Sequence, residues 1–165
     1  MKVPNDSKRT WKTNNVKKMD LHDNYKIKIE NYCKIVRDVI VKSKNDTHLL
    51  KDFPFGCCRN SSIIIGQILK DYGAENVHVC RKEIDDMYAS HAWIEFDNWI
   101  IDITADQFGT EFSSVLVLSQ ESPYWFHKKS NGEPCNFSIV GMDAPYLFKD
   151  YELIKNEIEN FIFNF

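Results

Sequence analysis

The chain has 165 residues, 43% of them hydrophobic and 13% aromatic, which suits one domain with a sizeable core and excludes a disordered chain. A net charge of −3 with a pI near 5.9 gives no electrostatic case for nucleic acid as the main partner. No apolar run approaches the ~20 residues that cross a bilayer, and MKVPNDSKRTWK at the start lacks the apolar middle of a secretory signal, so a cytoplasmic protein with no membrane role is expected.

Residues 1–23 are polar, with basic residues interrupted by neutral ones, and read as a flexible lead-in to a single domain over 24–165. From Asn24 to Lys42, Ile29, Tyr32, Cys33, Val36, Val39 and Ile40 recur at three- and four-residue steps, the pattern of an amphipathic helix. Residues 44–56 are a connector closed by Pro54 and Gly56. A second helix is expected from Cys58 to Tyr72, with Ile64, Ile65, Ile68, Leu69 and Tyr72 inward and Gly73 at the left-handed stop.

The period then changes to two. NVHVCRK (76–82) alternates like a strand, and residues 85–90 read as a loop. HAWIEFD (91–97) and NWIIDIT (98–104) read as strands meeting at a two-residue Asp97-Asn98 turn. A further strand is expected over 113–119, a loop over 122–136 and a last helix over 144–163. Helices, then an antiparallel sheet, then a helix make the α+β class.

Five cysteines are present: an odd number, without a Cys-x-x-Cys pair. Neither a disulfide framework nor a zinc site is implied, and no cofactor is called for. Cys57 and Cys58 stand where the second helix begins. The free N–H groups and partial positive charge of a helix start favour a thiolate, and the Cys58 N–H suits an oxyanion. Cys57 precedes the helix and should point elsewhere. Gly56 allows a tight turn and close approach of a substrate to the backbone.

A thiolate nucleophile needs a histidine, and that histidine needs an orienting group. With Asp97-Asn98 as the turn, Phe96 pairs with Trp99, Ile94 with Ile101 and Trp93 with Asp102. His91, Trp93, Asp102 and Thr104 then share one face, with His91 and Asp102 diagonal neighbours. Ala92, Ile94, Phe96, Trp99, Ile101 and Ile103 form a core face opposite. The same pair reads equally as polar residues on a solvated face. Trp93 is either a cleft wall or a stacking cover for the sheet. Trp125, in the aromatic run SPYWFHKK, marks either a substrate-selecting rim or a structural lid.

Three segments carry a resemblance: Gly56-Cys57-Cys58-Arg59, then His91-Ala92-Trp93-Ile94-Glu95, then Trp99 followed by Asp102-Ile103-Thr104. In this order, over residues 53–108, they resemble the transglutaminase-like branch of the papain-type thiol enzymes. Ile103 stands where that family usually has proline, and no calcium loop is recognisable. The resemblance implies a papain-like core with the nucleophile helix packed on an antiparallel sheet. It implies Cys58 as nucleophile, His91 as base and Asp102 as its orienting group. Trp93, Cys57, Gly56 and Trp125 are the expected substrate contacts. Hydrolysis of a peptide or protein substrate, as a peptidase, amidase or deamidase, is the expected reaction. The alternatives are transfer to an amine, acetyl transfer from a thioester cofactor, and an inactive domain that binds a peptide or protein.

Overall fold

The computed structural model describes residues 18–84, 89–119, 121–128 and 131–163. They form an α+β fold of three α-helices and one five-stranded antiparallel sheet: α1 Lys18–Ser43, α2 Cys58–Asp71, β1 His78–Ile84, β2 Ala89–Phe96, β3 Trp99–Asp102, β4 Leu116–Leu118, β5 Asn131–Pro134 and α3 Ala144–Phe163. The strands lie in the order β4-β3-β2-β1-β5, so β2 is central. Among the described residues, no helix is long and apolar enough to cross a membrane.

α1 begins at Lys18 rather than Asn24; the rest of the expected lead-in, residues 1–17, lies outside the described residues. Its stripe of Ile29, Cys33, Val36, Val39 and Ile40 is buried as the periodicity requires. α2 is buried on more than one side, because it lies between the sheet and α3. Tyr72, expected inside, is largely exposed and meets Tyr32 edge-on instead. α2 stops as its glycine demands: Gly73 has φ 91°, its N–H bonds Lys70 O, and the Ala74 N–H reaches back to Leu69 O.

Gly66, in the middle of α2, has a packing reason. A Cβ there would stand 2.6 Å from Cys135 Sγ and 2.8 Å from Ile94 Cδ1. Gly66→Ala is therefore expected to destabilise the fold by about 1–3 kcal/mol, despite alanine's better helix propensity. Urea unfolding with a lower midpoint and an unchanged slope is the readout.

The hairpin register is the one the sequence dictates: Phe96 faces Trp99, Glu95 faces Ile100 and Ile94 faces Ile101. Asp97 and Asn98 both adopt positive φ, 47° and 68°, as a twisted two-residue turn requires. Ala92, Ile94, Phe96, Trp99, Ile101 and Ile103 join the main core beneath the helices.

Two expectations change. The stretch 122–136 is not all loop: Asn131–Pro134 pairs with β1 as an edge strand. NGEP carries no β-branched or aromatic residue, so its strand state comes from the partner, not from propensity. Gly132 faces Cys80, and a Cβ there would come within 3.1 Å of the Cys80 sulfur. Second, the hairpin's other face is not solvated. Residues 105–112 and 124–127 fold over it, and Trp93, Phe126, His91 and Asp102 are all buried. Aromatic packing is the physical reason, with Phe126 stacked on Tyr124 and Phe108 at 5.4 and 5.2 Å. The expected 85–90 loop lies outside the described residues over 85–88, and β2 already begins at Ala89.

Candidate active site

The connector turns into α2 at Gly56, whose φ of 66° favours glycine. Cys57 is the cap residue and Cys58 the first helical residue, so their side chains diverge. Cys57 Sγ points back to the connector, 3.6 Å from Leu49 O, and burial pushes its thiol up to about 11. Cys58 Sγ points to β2, 3.8 Å from Ser90 O, beside His91, whose titration it influences. Burial also pushes Cys33 up to about 12 and Cys135 to about 11, which keeps both as inert thiols at neutral pH.

His91 Nε2 donates to Asp102 Oδ2 at 2.6 Å, across the β2–β3 pairing. Its other nitrogen, Nδ1, is reached by the Gln107 amide at 3.3 Å. Burial works against a charged ring here. The hydrogen bond to Asp102 and the neighbouring Cys58 sulfur outweigh it, and the imidazole is raised to about 9.

Asp102 is fully buried and accepts four hydrogen bonds. His91 and His127 both donate to Oδ2, at 2.6 and 2.8 Å. The Thr104 N–H and Oγ1–H both donate to Oδ1, at 2.9 and 3.2 Å. Burial alone would raise this carboxyl. The donors reverse that and hold it well below the usual carboxylate range.

Among the described residues, His91, Asp102 and His127 also offer metal-ligand atoms within 4.8 Å of one another. Both Nε2–Oδ2 distances are hydrogen-bond distances, and a metal would have to displace the two ring protons that make those bonds. The trio is therefore a hydrogen-bonded set.

Sequence reasoning missed His127 and Gln107. His127 comes from a short turn, Trp125–His127, and its Nδ1 lies 2.7 Å from Ser122 Oγ. Gln107 sits in the Ala105–Phe108 turn, which α1 secures: Arg37 grips Asp106 at 2.6 and 3.1 Å and also bonds Ile103 O. Neither has a periodic pattern linking it to His91. The apolar run around His127 was the only available signal, since a histidine within it must find a buried partner.

The remaining expected contacts are distributed unevenly. Trp93 is wholly buried, donates its indole N–H to Glu95 at 3.0 Å, and lies against His91 at 5.9 Å. It covers the sheet and presents no wall to solvent. Cys57 is buried toward the connector. Trp125 keeps 46% of its surface, rests on Phe108, and has the Lys82 ammonium 5.7 Å from its ring, so it stands at the rim of the aromatic cover.

Fold and site together define an α+β protein with a cysteine at a helix start, a His-Asp pair on two adjacent strands and a second histidine from the turn that covers them. No protein-family model, no curated protein and no solved structure matches this chain.

Proposed function

We propose that this protein is a cysteine-dependent acyl-transfer enzyme, a thiol hydrolase of peptide or protein amides with the papain-like core of the transglutaminase-like enzymes. One observation carries the reading: the buried His91 ring is held by Asp102 at 2.6 Å, and the Cys58 sulfur at the start of α2 lies 3.8 Å from the carbonyl of the adjacent Ser90, so thiol, imidazole and carboxylate converge. That is the arrangement a proton relay needs.

His91 Nδ1 takes the Cys58 proton, and its Nε2–H stays on Asp102. The thiolate attacks the substrate carbonyl carbon. The Cys58 N–H, one of the leading helix donors without an intrahelical partner, stabilises the oxyanion. The imidazolium returns its proton to the leaving nitrogen as the C–N bond breaks, leaving a thioester. Neutral His91 then takes a proton from water, hydroxide adds to the thioester, and the departing sulfur recovers the proton. Asp102 holds the tautomer throughout and is not itself protonated.

Alkylation tests the reading. At pH 6 iodoacetamide is expected to modify Cys58 about 100-fold faster than an ordinary thiol, because a free cysteine is mostly protonated there. His91→Gln should erase that rate, and Cys57→Ala should preserve it. Mass spectrometry after a mixed peptide pool should find an acyl group on Cys58 that water removes; release only to an added amine would make the enzyme a transferase. Labelling of all five cysteines at similar slow rates would refute the reading.

A further inference from the structure

A simple triad needs one bond from its carboxylate to its imidazole. Here the same oxygen, Asp102 Oδ2, serves two imidazoles, His91 at 2.6 Å and His127 at 2.8 Å. His127 is tied at its other end. The Asp102 carboxylate only accepts, so the His127 ring proton sits on Nε2, aimed at Asp102. Nδ1 is then the acceptor and Ser122 Oγ, 2.7 Å away, donates to it while accepting the Tyr124 N–H at 3.1 Å. Phe126 at 4.5 Å and Trp93 at 5.0 Å hold the ring in place.

We propose that His127 is a positioning residue of the thiol site: its Nε2–H, fixed by Ser122, takes a share of the Asp102 charge and so limits how tightly the carboxylate grips His91. The proposal rests on the thiol-hydrolase reading above and assigns His127 and Ser122 a place in it.

The physical reason lies in the two jobs of His91. As an imidazolium it holds Cys58 as a thiolate, which favours a strong pull from Asp102. In the water step it must be neutral to accept a proton, which favours a weaker pull. A buried carboxylate with one charge-bearing partner would hold the imidazolium too well, because low polarity strengthens the attraction. A second N–H on the same oxygen divides that attraction without removing the orienting bond.

Other charges act on the pair from every side. Cys58 on α2 lies against Ser90 beside His91, and Lys82 on β1 stands opposite His91, its ammonium turned to Trp125 O. Beside His127 an open cleft of about 610 Å³ is lined by His78 on β1, Glu95 on β2, Asp97 in the turn, and Glu121 and Lys128. These groups border the cleft side of His127, whereas Asp102 makes the direct bond.

The test is a pH titration of the full chain with ¹⁵N-labelled histidine rings, followed by NMR, with His91 assigned by its loss in His91→Gln. In His127→Phe, which keeps an aromatic ring in the cluster, the midpoint of His91 is expected to rise by about one pH unit, the worth of one charge-assisted hydrogen bond. His127→Gln, which can still present an N–H to Asp102, should return it to the wild-type value. Ser122→Ala should move it upward by less, and it decides the matter if His127→Phe does not fold. Damage to packing alone would loosen the His91–Asp102 bond and lower the midpoint. An unchanged or lowered His91 midpoint in the folded variants overturns the proposal. Slow, unselective alkylation of Cys58 together with the upward shift would instead overturn the hydrolase reading and leave the shared carboxylate standing.

Discussion

Asp102→Asn is expected to remove both the chemistry and much of the stability. The carboxylate has two oxygens, each accepting two donors. An amide has one oxygen. Whichever way it turns, its NH2 faces either the two imidazole N–H groups or the Thr104 donors. At least two buried donors lose their acceptor, and the expected cost is about 3–5 kcal/mol. His91 would also lose its hold on the required tautomer. Alkylation of Cys58 at pH 6 should fall about two orders of magnitude, to the level of an unassisted thiol, and turnover by roughly four. Guanidinium unfolding and the labelling rate, measured on the same sample, separate the two effects. A large loss of stability with full Cys58 reactivity would mean that Asp102 is structural only.

The site pair was legible because a hairpin converts sequence spacing into distance. Two positive-φ residues at 97–98 fix the register, and the alternation of His91, Trp93 and Glu95 with Ala92, Ile94 and Phe96 then fixes the faces. Cys58 was legible for a different reason. Pro54 and Gly56 end the connector, the apolar helix begins, and the first helical residue is set to within one position. Choosing Cys58 over Cys57 as the candidate rested on its place at the helix start and on the resemblance carried by Gly56-Cys57-Cys58-Arg59.

What could not be read depends on contacts between distant segments. Burial of the His91 face follows from Phe108 and Phe126 closing over it, and nothing in HAWIEF announces that cover. A strand whose second face is covered by a loop looks like one whose second face is wet, since polar residues alternate in both. Here those polar residues are not solvated but bonded to one another. The same holds for β5, whose pairing comes from β1 and from the Cys135 N–H on Val77 O, not from its own residues. His127 combines both difficulties: its carboxylate partner lies on the distant strand β3, and its place in the fold is set by an aromatic cluster.

Asp150→Ala should show that the sulfur is positioned from the far end of the chain. Asp150 lies on α3, is buried, and reaches the connector: Oδ1 accepts the His48 N–H at 2.7 Å and Oδ2 the Leu49 N–H at 2.8 Å. His48 Nδ1 also lies 3.0 Å from Oδ1, and Leu49 O in turn faces Cys57 Sγ. One side chain thus pins the segment that leads into Gly56 and the start of α2. Alanine leaves two backbone donors without their acceptor, at an expected cost of about 3 kcal/mol. A slackened connector also lets the first turn of α2 shift. A displacement of about 1 Å is enough to cost tenfold or more in a reaction that depends on aligned groups. Cys58 labelling is therefore expected to slow about tenfold under conditions where circular dichroism shows the variant fully folded, while the His91 midpoint stays near its wild-type value. Unchanged labelling in the folded variant would show that α2 holds the sulfur without help from α3. A moved His91 midpoint would show that the connector acts through the imidazole rather than through the thiol.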